Sequence, residues 1–346
     1  MNIQADIPSA RLDVTREQAQ RVLNHHCDGS APISSFEELL DKGFSAFTPT
    51  KTYVLLLSDG SAYVLKVSPP SPPASSETYA PNSLSAEHAF LQLLIKQTSV
   101  PQPTAHALDT SLTIVPYQYL LLSRPRGVPL SHARTSGALT ARQVLLLELR
   151  IGAYLKQLHD VQNDWFGLPT QEHDGLYSWQ EAFTLSLESL LMDAQTRGVT
   201  LAYENVRRYL SRAIGSFLFD DCEVPSLVSF AGDEDTIVVD LEAREGDEVP
   251  ITSFLSFSHA LWGDPLLETI LLDPSAALME GYGGTLIVFT RQKTKRMWYT
   301  LFLALMVLVQ HAQPTGATGP HYDDKVEWAR RTLDKCVDEL KDAPCY

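Results

Sequence analysis

The sequence predicts an α+β protein in two lobes, a small β-rich lobe over residues 1–125 and a larger, mainly helical lobe over 126–346. Three observations carry this. Two apolar runs joined by a turn lie early in the chain. Apolar residues recur at helical spacing from Thr140 onward. Three short strand-like segments then interrupt those helices. A cleft between two such lobes is the expected place for a ligand.

Taken in order, Thr15 to His25 reads as a short helix in a polar lead-in. Tyr53–Leu57 and Tyr63–Val67 flank Ser58-Asp59-Gly60-Ser61, which is turn chemistry, so the pair reads as a β-hairpin. Ser68 to Ser85 is rich in Pro and Ser and reads as a mobile loop. A helix opening at Ser85 places Phe90, Leu91 and Leu94 on one face. Strands are expected at Thr113–Val115 and Tyr117–Leu122. Helices follow at Val144–Leu158, Tyr177–Ala194 and Tyr203–Phe219. The strand cluster is Ser226–Phe230, Thr236–Val239 and Ile251–Phe257, and helices return from Pro265.

Composition excludes several classes of function. With 42 acidic and 27 basic residues the chain carries a net charge of −15, which disfavours nucleic acid and anionic membranes as partners. Four scattered cysteines without a CxxC pair read as reduced thiols, neither a disulfide framework nor a zinc site. Residues 1–6 show no signal-peptide pattern. The most apolar run, Met297 to Val309, is shorter than the ~20 residues a bilayer requires. A cytoplasmic protein acting on a small molecule is the expectation.

Several motifs in fixed order carry a family resemblance. Lys66 stands in Tyr63-Val64-Leu65-Lys66-Val67, and Glu87 follows on the next helix. Val100-Pro101-Gln102-Pro103, then Tyr119 through Leu130, come next. Ile151-Gly152-Ala153-Tyr154-Leu155-Lys156-Gln157-Leu158-His159, Phe166-Gly167-Leu168-Pro169, Trp262-Gly263-Asp264-Pro265 and Glu280-Gly281-Tyr282-Gly283 complete the series. From about residue 40 to about 310 this order resembles the aminoglycoside phosphotransferase and choline-kinase-like family, in a version of fungal type. The resemblance implies a protein-kinase-like fold, a phosphate-gripping role for Lys66 and an ion pair between Lys66 and Glu87.

It also implies Mg-ATP as cofactor, and here the sequence departs from the family. Phosphoryl transfer needs a carboxylate to position the acceptor, with an Asn and an Asp to hold magnesium. The family supplies them from loops resembling "HGDLHPGN" and "IDWE". Pro225–Val228 and Ile237–Asp240 fit both flanks of the first loop without a gap. Ser229 then falls on the His, Ala231 on the catalytic Asp and Thr236 on the Asn. Trp262-Gly263-Asp264-Pro265 sets the second register and puts Ser256 on the metal Asp. Magnesium prefers anionic oxygen, so no metal site is expected. Gly43-Phe44-Ser45-Ala46-Phe47-Thr48-Pro49-Thr50, at the phosphate-cradling hairpin, has one glycine and a proline that removes a donor. In a shifted register Asp233 would become the base, although Ser256 would stay.

Three functions remain open. The first is a metal- and ATP-independent small-molecule enzyme of specialised metabolism, running acid–base cyclisation, dehydration or isomerisation. Its candidate acids and bases are Asp233, Asp235 and His259, and its ligand-binding candidates are Lys66, Glu87, Ser229, Ser256 and Trp262. The second is a non-catalytic pseudokinase that binds a ligand or a protein partner. The third is an active kinase using Mg-ATP with a shifted loop. Each residue also has a plain structural reading: an interlobe ion pair for Lys66 and Glu87, a solvated turn for Asp233 and Asp235, a packed ring for His259, and a cap for Asp264.

Overall fold

A computed structural model describes residues 12–27, 29–40, 42–70, 79–254, 256–313 and 320–344. Residues 71–78 of the Pro- and Ser-rich stretch lie outside it, as do 1–6, where the signal-peptide pattern was sought. The chain is α+β, with a sheet-bearing N-terminal region and a helical C-terminal region.

The N-terminal sheet has five antiparallel strands in the order β1 (Ile33–Glu38), β2 (Lys51–Leu57), β3 (Ala62–Ser68), β5 (Gln118–Ser123) and β4 (Ala105–Asp109). The β2–β3 turn is closed as expected, with Gly60 in the left-handed region at φ 87° and Asp59 Oδ1 accepting the Ser61 N–H at 2.9 Å. Alternation along β5 decides which side chain meets which helix. Tyr119 and Leu121 pack toward α1 (Arg16–His26), and Leu120 and Leu122 toward α2 (Leu84–Gln97). Burying such leucines stabilises by roughly 1.5–3 kcal/mol each. On β3 the same alternation leaves Leu65 and Val67 with α1, and Lys66 on the α2 face.

The strand expected at Thr113–Val115 is irregular backbone; Val115 is instead buried beside Tyr117. The edge strand is β4, whose Ala-His-Ala-Leu-Asp has little β-propensity. Its pairing with β5 decides its state, as edge strands often require.

The C-terminal region holds α3 (Leu130–Thr135), α4 (Ala141–His159), α5 (Trp179–Thr196), α6 (Tyr203–Gly215), α7 (Ala276–Tyr282), α8 (Thr290–His311) and α9 (Pro320–Asp342). Thr140 and Gln143 form a capping box that starts α4. Between the helices lie the short strands β6 (Val128–Pro129), β7 (Ser226–Val228), β8 (Val238–Val239), β9 (Ile251–Ser253) and β10 (Leu261–Gly263). β10 pairs with β7, and β6, β8 and β9 form a second small sheet. The apolar run 297–309 is the buried middle of α8, and no described helix is long and apolar enough to cross a membrane.

Glycines from two landmark motifs account for one helix crossing. A Cβ on Gly152 of α4 would overlap the Leu278 carbonyl of α7, and a Cβ on Gly281 would overlap the Leu149 carbonyl of α4. The His159 ring completes that crossing through a 2.9 Å hydrogen bond between Nδ1 and the Tyr282 hydroxyl.

Candidate functional site

Lys66 and Glu87 meet as the sequence suggests. Ser83 caps α2 by accepting the Ala86 N–H at 3.2 Å, which puts Glu87 on the first turn facing β3. There Glu87 forms a hydrogen-bonded ion pair with Lys66, with side chains only 6% and 13% exposed. Lys66 Nζ also lies 3.4 Å from Ser258 Oγ, which is 3.1 Å from Ser256 Oγ. Lys66, Glu87 and Ser256 therefore share one site, and Ser258 joins them.

Ser229 is buried, and its N–H and hydroxyl donate to the two oxygens of the fully buried Glu268 at 2.6 and 2.7 Å. His159 Nε2 approaches the same carboxylate at 3.6 Å. The next residue, Phe230, is left-handed at φ 63°, and the Ala231 N–H closes a tight turn to the Ser229 carbonyl at 2.9 Å.

Asp233 caps the short 3-10 turn Glu234–Thr236, its Oδ1 accepting the Asp235 N–H at 3.0 Å. Its other oxygen accepts the Phe44 N–H at 3.1 Å and sits 3.3 Å from Lys325 Nζ. Burial pushes the Asp233 carboxyl above its usual range; Lys325 opposes this and Asp235 adds to it. Lys325 belongs to α9. It also pairs with Asp235 at 3.6 Å and lies 4.2 Å above the Phe44 ring, against which Trp328 packs at 4.9 Å. The 3-10 turn Gly43–Ala46, at the position the resemblance gives to the phosphate cradle, is thereby seated on the loop 229–236 and on α9. Asp233 also lines a cavity of about 230 Å³, together with Arg134, Glu148, Glu234, Thr269 and Asp273 among others.

His259 is 1% exposed. Nε2 contacts the Phe47 carbonyl at 3.1 Å and Nδ1 the Tyr79 hydroxyl at 2.8 Å. The Phe47 carbonyl can only accept, so Nε2 carries a proton, and in the neutral ring Nδ1 accepts from the Tyr79 hydroxyl. Burial pushes its pKa down to about 3, which agrees with that tautomer. His259, a candidate acid or base from the sequence, has both ring nitrogens engaged within the protein. Trp262, expected at a ligand wall, is 7% exposed and packs edge-on against Phe90 at 5.6 Å. Asp264 caps the turn Pro265–Leu267 and accepts from the Tyr299 hydroxyl at 2.8 Å, with Lys295 at 2.5 Å.

Sequence reasoning missed Tyr79, Glu268 and Lys325. Tyr79 borders the Pro- and Ser-rich stretch, Lys325 lies beyond the motifs, and nothing local marks Glu268 as the partner of Ser229. Among the described residues, no group of three His, Cys, Asp or Glu is placed to hold a metal ion.

A model of the phosphotransferase enzyme family matches residues 45–219, half of the chain. The chain belongs to this family. Solved structures with the family's fold cover nearly all of it. One is described as an aminoglycoside phosphotransferase from Ralstonia eutropha JMP134, at 12% identity and TM-score 0.59, covering 95% of this chain and 99% of that one. Another is described as a fructosamine-3-kinase from Haemophilus somnus 129PT, at 14% identity and TM-score 0.60, covering 92% and 97%. A third is the GDP complex of a mutant aminoglycoside 2′-phosphotransferase-IIIa, at 17% identity and TM-score 0.59, covering 94% and 98%. At these identities the likeness is one of fold. No curated protein matches the chain in sequence.

Proposed function

We propose that this chain is a non-phosphorylating member of the phosphotransferase family, a binding protein that does not use Mg-ATP. The hydrogen bond from the Phe44 N–H to Asp233 carries this reading. It seats the turn that would cradle phosphate on the loop that would hold the transferring group. The residues present also fit magnesium poorly. In the ungapped register the working positions are Ala231, Thr236 and Ser256, and none offers an anionic oxygen. The left-handed backbone at Phe230 supports that register, because the family loop carries glycine there and a non-Gly residue is strained. The family match, moreover, ends at residue 219, short of this loop.

Isothermal titration with Mg-ATP tests the reading. No saturable heat at millimolar nucleotide is expected, whereas a stoichiometric isotherm would sink it. A second reading, metal-free acid–base chemistry, is favoured by one observation: the raised carboxyl of Asp233 borders the 230 Å³ cavity. Under that reading, Asp233→Asn abolishes turnover and leaves ligand binding intact.

A further inference from the structure

We propose that the crevice between the end of α5, the end of α8 and α9 is a second ligand site, which takes a singly charged organic carboxylate with an apolar body. The crevice holds about 420 Å³. None of its lining residues belongs to the site around Lys66, Ser229 and Asp233.

Local geometry brings the lining together. α5 ends at Arg197, and Gly198 turns the chain with left-handed backbone at φ 73°. The Val199 N–H then bonds back to the Ala194 carbonyl at 2.9 Å, which closes the helix and sets Arg197 and Val199 at the crevice. Leu308 and His311 stand one turn apart at the end of α8. Arg330, Leu333 and Asp334 share one face of α9 by their spacing.

The charge here is the reverse of the chain's. Against a net −15, two guanidiniums, Arg197 and Arg330, line the crevice with one carboxylate, Asp334. Both arginines are exposed, and among the described residues neither forms an ion pair. The next residue along α9, Arg331, does pair, with Glu327 at 3.6 Å. A guanidinium stays charged and offers paired N–H donors that match a carboxylate. Asp334 offsets one of the two, so a monoanion balances the crevice and a dianion exceeds it. Leu308 and Leu333, 6% and 2% exposed, and the partly buried Val199 add apolar surface for an organic body.

A second observation marks the place as unfilled. His311 closes α8, and its Nδ1 is buried without a hydrogen-bond partner. Buried polar atoms seldom lack one. With no hydrogen bond to hold it, the ring can turn about Cβ–Cγ and present a nitrogen to the guest.

The test is fluorine NMR line broadening of para-fluorobenzoate and of a fluoronaphthoate, titrated with the full chain at low salt and neutral pH. At least one acid should saturate at micromolar to low-millimolar concentration, and added salt should weaken it. Arg197→Gln and Arg330→Gln should each raise the dissociation constant about threefold, and the double variant about tenfold. Arg331→Gln, outside the lining, should leave it unchanged. The neutral para-fluorobenzamide should not bind. Para-fluorophenyl phosphate, mostly dianionic at neutral pH, should bind no more tightly than the benzoate. No saturation with either acid, an unweakened double variant, equal binding of the amide or a tighter phosphate each overturns the proposal. If the double variant melts early, the single variants against Arg331→Gln decide. The Mg-ATP titration reads the interlobe cleft, so the two proposals stand or fall separately.

Discussion

The Asp233 carboxylate accepts the Phe44 backbone N–H at 3.1 Å, joining residues 189 positions apart. Gly43 makes this approach possible. Its backbone is left-handed at φ 55°, and a Cβ there would overlap both Asp233 oxygens. Gly43→Ala should therefore destabilise by roughly 2–4 kcal/mol in urea unfolding. Adding Asp233→Ala removes the overlap, so the double variant should lose less than the two single losses together. Strict additivity would mean that the two residues do not touch.

Lys325 couples α9 to the same carboxylate. With its side chain 30% exposed, Lys325→Met should cost only about 1 kcal/mol. Its larger effect is on titration. Lys325 holds the Asp233 carboxyl down against burial, so the variant should raise that carboxyl further. A carboxyl raised on folding stabilises the protein below the ordinary carboxylate range, and that contribution is lost as pH rises through the folded value. As pH rises through the carboxylate range, stability in Lys325→Met should fall more than in wild type; NMR titration of Asp233 gives the direct reading.

His259 has the opposite sign. Its pKa is near 3 in the folded chain and near 6.5 when unfolded. Its contribution is complete above 6.5 and is lost as pH falls toward 3, on the order of 5 kcal/mol for a shift of this size. His259→Gln should be less stable than wild type at pH 7, and its stability should vary less between pH 6.5 and 3. An unchanged acid slope would mean that the imidazole reaches solvent.

The α4–α7 crossing is set by backbone approach. Gly152→Ala and Gly281→Ala each place a methyl against a carbonyl on the opposite helix, where no side chain can yield. Each should cost roughly 3 kcal/mol or more in chemical denaturation. Gly198→Ala meets no atom within 4 Å and carries only the strain of its left-handed backbone at φ 73°, so it should cost less.

Much of the fold was legible because periodicity is local. The β2–β3 hairpin and α4, α5 and α6 follow from alternation, turn residues and helical spacing within short windows. β4 was not legible, because five weak residues become a strand only when β5 offers them a ladder. In the site, the Lys66–Glu87 pair was readable from motif order. Ser229, Asp233 and His259 were named from the sequence, but the partners that define their chemistry were not.

By itself the amino-acid order determined the α+β class, most of its elements and the family motifs, since propensity and spacing act between near neighbours. Only the tertiary structure decided that His259 bonds Tyr79 and Phe47 and is neutral, and that Asp233 is covered by Phe44 and Lys325. Those states depend on burial and on charges brought together from distant parts of the chain. No local pattern encodes the dielectric or the neighbours that a side chain meets after folding.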